Sequence, residues 1–142
     1  MFCAGNNLTS LDLSQNPNLV DLICAQNQLT EIIFNPQINL YEFNCTGNNL
    51  TSLDMSQHIG LRYLGCSLNQ LTELDLSNNI NLLEVRAHTN PPLEKVDIRN
   101  GNNINIDQFL LYNSPNLPYI YVDDCAYSTT NWTDIDPNTI YV

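Results

Sequence analysis

Positive charge is almost missing from this chain. Four Lys and Arg stand against fifteen Asp and Glu, a net charge of −11, and only 13% of residues are charged. Nucleic acid and anionic lipid are held by Lys and Arg that displace counterions, so this composition argues against both as partners. Long apolar runs are missing too. None approaches the roughly 18 residues of a membrane span, and no membrane insertion is expected. The opening Met1-Phe2-Cys3 has no basic stretch of the kind that begins a signal peptide. There is no GxSxG, HExxH, phosphate-binding glycine loop or paired-carboxylate motif, so neither an enzyme nor a cofactor is expected. No stretch sustains a 3.6-residue apolar stripe, which predicts little helix.

What is present is repetition. LTSLDLSQNPNLVDLICAQNQ from Leu8 to Gln28 returns as LTEIIFNPQINLYEFNCTGNN from Leu29 and as LTSLDMSQHIGLRYLGCSLNQ from Leu50. It returns again as LTELDLSNNINLLEVRAHTNPP from Leu71. The period is 21 or 22 residues. Each unit has two halves, LxxLDLSxN and LxxLxCxxN. In both, paired apolar positions alternate with polar ones, the period of a short strand. Asn, Gln, Pro and Gly between the strands supply turns. One such coil cannot bury its own Leu residues. Stacking coils at about 4.8 Å does so, and each buried Leu contributes roughly 1.5–3 kcal/mol.

The two halves differ at their ninth position. In the Cys-type half it is Asn6, Asn27, Asn48, Asn69 and Asn90 without exception. An Asn amide there can pair with the backbone of its own coil and the next, so this column is a structural ladder and marks the tighter corner. In the Asp-type half the position holds Asn16, Gln37, His58, Asn79 and Gly101, which predicts a corner that tolerates water. Cys3, Cys24, Cys45 and Cys66 also lie 21 apart, with Cys125 outside the register. Their place matches Leu, Phe or Val elsewhere in the motif. They read as small buried thiols rather than a disulfide framework or a metal site.

The pattern LxxLxCxxNxL resembles the leucine-rich repeat, and the nested form LxxLxCxxNxLTxLDLSxNxx resembles a class found in secreted and surface proteins of bacteria. The resemblance covers residues 1 to about 103. It implies a β-rich, right-handed solenoid of about six turns. Parallel strands from the Cys-type halves would line the concave side, and short strands from the Asp-type halves the convex side. It also implies recognition through the concave face and a secreted or cell-surface location.

Beyond Pro92 the letters loosen, but Leu93–Gly101, Ile106–Asn113 and Leu117–Val122 still alternate between the two half-types. The expected solenoid therefore spans residues 1–122, with six strands per side and a bulged corner at Gly101-Asn102-Asn103. Residues 123–142 break the pattern and read as a C-terminal cap, with Trp132 and Ile135 over the last coil. Met1 falls mid-strand, so no N-terminal cap is expected and the chain reads as a fragment.

The best binding candidates are outward residues of the Cys-type strands: Asp21, Ile23, Glu42, Asn44, Tyr63, Gly65, Glu84, Arg86 and His88. They change from copy to copy while inward positions stay fixed. Tyr63, Arg86 and Ile23 are of the types that anchor interfaces. The expected role is a non-catalytic module that binds a protein or glycan; the alternative is a spacer between domains of a larger exported protein. Asp12, Asp54, Asp75 and Asp97 form a column broken by Ile33, read as an acidic solvent face rather than a calcium site. His58 takes a corner Asn position and reads as structural. His88 is expected on the exposed side of its strand. The sequons at Asn7, Asn44, Asn49 and Asn131 follow from the repeat's own letters.

Overall fold

Apolar residues recurring two apart, with turn-formers between them, give very short strands in sequence order. The computed structural model describes all residues, 1–142. Its elements are β1 (Ser10–Leu13), β2 (Asp21–Ile23), β3 (Glu31–Phe34), β4 (Glu42–Asn44), β5 (Tyr63–Gly65) and β6 (Glu73–Asp75). There follow β7 (Glu84–Arg86), β8 (Lys95–Asp97), β9 (Gln108–Leu111), β10 (Tyr119–Tyr121), α1 (Cys125–Asn131), β11 (Asp134–Ile135) and β12 (Ile140–Tyr141). All pairings are parallel. One sheet of six runs β2-β4-β5-β7-β9-β11, and the Cys-type halves build it up to β7. The chain is a parallel-strand solenoid of about six turns with a single short helix, of leucine-rich-repeat type.

One continuous core of buried apolar side chains runs through the stack. Leu22, Phe43, Leu64, Val85 and Phe109 form one inward row by register. Cys24, Cys45 and Cys66 form the next, continued by Ala87 and Leu111, and all five are buried. The cysteines are free thiols. Burial pushes Cys24 and Cys66 up to about 12, and Cys45 well above the usual thiol range. They behave as small apolar spacers.

The Asn ladder is built through the backbone. The side-chain oxygens of Asn27, Asn48, Asn69 and Asn90 accept the amides of Leu8, Leu29, Leu50 and Leu71 at 2.9–3.2 Å. Their amide nitrogens donate to the Cys-column carbonyls of their own coil and of the coil before. The second partner is thus the preceding coil, not the following one. Asn6 bonds only within its own coil. Past Asn90 the ladder changes letters. The Ser114 hydroxyl accepts from the Asn90 amide, and Asp136 accepts from the amides of Asn113 and Ser114.

A second column precedes each ladder residue. Gly5, Gln26, Gly47, Leu68, Thr89 and Asn113 all have φ between 53° and 72°. Each coil therefore passes this corner through one left-handed residue, which only the glycines adopt without steric cost.

The opposite side departs from expectation. Its ladder is split into β1-β3 and β12-β10-β8-β6, and the third coil has no strand there. Residues 52–54 make no backbone hydrogen bond to either neighbour. Clefts of about 230 and 270 Å³ flank them. Beside the gap the ring of Phe34 meets that of His58 edge-on at 4.9 Å, where the first coil has Leu13 and Asn16. Two rings between coils two and three take more room than Leu and Asn.

Other expectations on this side also need correction. The corner is wet at some coils and closed at others: Asn16, Gln37 and Gly101 are exposed. His58 and Asn79 are fully buried, and Asn79 donates to the carbonyls of Met55 and His58 at 3.0 and 2.8 Å. In the second coil Gln37 turns out and Ile38 fills the corner instead, after a turn at Asn35 and Pro36. The Asp column is a solvent face at Asp12, Asp54 and Asp75, as expected, and departs from it only at Asp97. Asp12, Asp54, Asp75 and Asp97 each accept the amide two residues on, closing a turn. Asp97 is buried beneath Arg99.

The region from Gly101 to Asn105 is an irregular corner as expected, with a 3₁₀ turn at Asn103–Asn105. In the tail, β11 pairs with β9 and β12 with β10, so residues 123–142 add one strand to the six-stranded sheet and one to the four-stranded sheet. Trp132 is buried and stacks on Phe109 with centroids 4.4 Å apart, and Ile135 stands in register with Leu111.

Candidate recognition face

Alternation along each strand decides which side chains leave the core. On β2, β4, β5 and β7 the middle residue is buried and its two neighbours face out. Strand register then stacks these neighbours into rows. One row reads Asp21, Glu42, Tyr63, Glu84, Gln108. The other reads Ile23, Asn44, Gly65, Arg86, Leu110. All sequence-predicted binding candidates except His88 thus share the strand face of one sheet, and His88 sits two residues past Arg86 at its edge.

The rows are held by specific contacts. The side-chain oxygen of Asn44 accepts the Thr46 amide at 3.0 Å, which lays its amide group over Gly65. A Cβ on Gly65 would stand 3.1 Å from that group, so the glycine leaves the room Asn44 uses. Arg86 meets Glu84 at 2.7 Å and donates twice to Gln108, at 3.0 and 2.8 Å. This three-residue bracket spans β7 and β9.

His88 is half-buried rather than exposed, because its ring lies flat on Tyr112, with centroids 4.6 Å apart and planes 2° from parallel. Burial, and then the Arg86 charge, hold its imidazole below the ordinary histidine range. Its Nδ1 lies 3.1 Å from the Thr89 hydroxyl. His58 is the other histidine, and it faces the core corner. Its Nδ1 lies 3.1 Å from the Ile38 carbonyl, and burial lowers its affinity for a proton. No group of three or more His, Cys, Asp or Glu is placed to hold a metal ion, and no helix is long and apolar enough to cross a membrane.

Sequence reasoning missed part of this face. Tyr41 and Arg62 sit on its rim, one residue before their strands, where backbone bonds from Tyr41 to Val20 and from Arg62 to Tyr41 extend the ladder. The Tyr41 and Tyr63 rings lie 5.6 Å apart at 61°, and Arg62 stands over Tyr41 at 5.5 Å. The Tyr41 hydroxyl raises the Tyr63 phenol above its ordinary range. Gln108, Leu110 and Tyr112 also belong to the face. The exposed aromatic beside Glu42 was a readable signal for Tyr41. The loosened letters after Pro92 hid the others.

No protein-family model matches this chain, and no curated protein matches it. Among solved structures it is similar to the functional domain of InlJ from Listeria monocytogenes, with a TM-score of 0.62 and 28% identity over 86% of this chain. The match covers 38% of that protein's chain, so this chain spans well under half its length. That domain is described as including a cysteine ladder. In this chain Cys24, Cys45 and Cys66 are buried in one inward row, with Cys3 half-buried at its end.

Proposed function

We propose that the chain is a non-catalytic binding module whose recognition surface is the outward face of the six-stranded sheet. One observation carries this reading. Within a single sheet, inward rows hold only apolar residues, whereas outward rows run through acid, aromatic, amide, glycine, base and aliphatic. A scaffold selected only to stack has no use for such variety on one side. Tyr and Arg at the centre of the face are the types that dominate interface energetics. The ligand class is a protein or a glycan. Likeness to a Listeria protein supports an extracellular bacterial setting, secreted or at the cell surface.

The test is to probe the immobilised chain against protein and glycan arrays, then repeat with Glu42→Lys, Tyr63→Ala and Arg86→Glu combined. Binding lost in this variant but kept when exposed residues of the opposite side are changed supports the reading. An array silent for the native chain, or hits indifferent to all three substitutions, would leave a spacer role in its place.

A further inference from the structure

Asp21 and Glu42 are register partners on β2 and β4, so two carboxylates stand on strands about 4.8 Å apart. Like charges placed directly opposite are destabilising. The chain has two ion pairs, Arg86–Glu84 and Arg99–Asp97, and neither relieves them. Glu84, two coils along the same row, is treated differently. Arg86 stands two residues on and neutralises it at 2.7 Å. The positions two residues after Asp21 and Glu42 hold Ile23 and Asn44, both uncharged. Neither carboxylate has a salt-bridge partner, and the Met1 ammonium beside Asp21 donates to its backbone carbonyl instead, at 2.5 Å.

Beside this pair stands an aromatic corner. Tyr63 follows Glu42 in the row, and Tyr41 precedes Glu42 in the chain, 5.6 Å from Tyr63 between ring centroids. The Arg62 guanidinium already lies over Tyr41 at 5.5 Å. The tyrosine pair is therefore in a geometry that attracts cations, because ring faces carry negative potential.

We infer that Asp21, Glu42, Tyr41 and Tyr63 dock a Lys- or Arg-bearing segment of a partner protein. The partner's cation takes the place beside Asp21 and Glu42 that Arg86 takes beside Glu84. The inference rests on the binding-module reading above and adds the partner's chemistry. Charge complementarity favours a basic peptide over a neutral glycan. A glycan leaves the two carboxylates repelling each other, whereas a cation removes that repulsion on binding. A chain of net charge −11 also steers basic partners toward itself.

The test titrates a fluorescent alternating Lys/Ser peptide, with a Glu/Ser peptide as control, into the full chain and three variants. Asn44→Arg supplies the missing cation in place. Asp21→Asn with Glu42→Gln removes the charge pair. Glu31→Gln with Glu73→Gln removes the same charge from exposed positions of the opposite side. The first two are expected to weaken binding of the Lys/Ser peptide about tenfold, and the third by less than about twofold. The Asp21→Asn with Glu42→Gln variant is also expected to melt higher than the native chain, which a carboxylate pair kept only for stability would not do.

Equal weakening in the third variant means a general pull of the negative surface and overturns the inference, as does absence of Lys/Ser binding to the native chain. If arrays still yield a glycan or protein ligand of the same face, the binding-module reading survives that failure. If they yield none, it falls as well.

Discussion

The side-chain oxygen of Asn69 accepts the backbone amide of Leu50 at 3.0 Å, across 19 residues and one coil. The same side chain donates to the carbonyls of Cys45, Cys66 and Ser67, so four backbone groups depend on it. An orphaned buried polar group costs roughly 1–3 kcal/mol. Asn69→Ala is expected to lower stability by about 3 kcal/mol or more, read as a shift in the urea midpoint. Asn6→Ala is the internal control. Asn6 is exposed and bonds only its own coil, so its loss is expected to shift the midpoint little.

Leu68 sits one residue before Asn69 with φ of 56°, in the left-handed column. Two of the other members are Gly5 and Gly47. A side chain with a Cβ costs roughly 1–2 kcal/mol there, and glycine does not. Leu68 is half exposed, so truncating it forfeits little packing. Leu68→Gly is therefore expected to stabilise the fold, by about 1 kcal/mol at most once glycine's larger unfolded-state entropy is subtracted. An unchanged or lowered melting temperature would show that the turn is set by the stack and not by the residue.

The contrast between these two columns shows what was legible in the letters. The Asn column is invariant because a side chain must reach three fixed backbone groups, and only an amide does so. The left-handed column is written Gly, Gln, Gly, Leu, Thr, Asn, because its requirement falls on the backbone and neighbouring coils enforce it whatever the side chain. The gap at residues 52–54 was invisible for a related reason. LTSLDMS of the third coil nearly repeats LTSLDLS of the first. The difference lies in its neighbours, where Phe34 and His58 meet. Strand additions in the tail were hidden because pairing of β11 and β12 uses main-chain groups and needs no Leu pattern. Of the recognition face, Ile23, Asn44 and Arg86 followed from alternation alone, whereas Tyr41 and Arg62 lie one residue outside the strands and needed the ladder itself.

His58 gives the fold a pH dependence with a definite sign. Burial lowers its imidazole below the ordinary 6.5, and only part of this is offset by the Ile38 carbonyl and Asp54. A folded-state value below the unfolded one means that the unfolded chain binds the proton first. The contribution is fully present above pH 6.5 and is lost as pH falls through the lower folded value. His88, lowered chiefly by burial, acts in the same direction. Asp12, Asp54 and Asp97, held low by hydrogen bonds to Ser14, Ser56 and Arg99, lose their contributions separately, below the ordinary 3.8. His58→Asn, which installs the residue found at Asn16 and Asn79, is expected to flatten the stability profile between pH 7 and 5 and leave the steeper loss below pH 4. Chemical denaturation at half-unit pH steps measures both limbs. A slope between pH 7 and 5 unchanged in His58→Asn would place that dependence elsewhere.

The third coil is hydrogen-bonded on one side and not on the other. Tyr63–Gly65 is flanked by β4 and β7 within the six-stranded sheet. Residues 52–54, about ten positions earlier on the same coil, have no backbone partner, and clefts open on both sides of them. Amide exchange requires that a hydrogen bond be broken or absent, so protection is expected to differ across this single coil by orders of magnitude. The amides of Ser52, Leu53 and Asp54 are expected to exchange within the dead time of a manual experiment, although they lie mid-chain in a folded coil. The amides of Leu64 and Gly65 are expected among the slowest. Restoring the corner used by the first coil, with Phe34→Leu and His58→Asn together, removes both rings from between the coils. If those rings cause the gap, the double variant slows exchange at residues 52–54 while leaving Leu64 unchanged. If exchange there stays fast, the separation follows from the curvature of the whole stack, and residues 34 and 58 merely occupy the space it leaves.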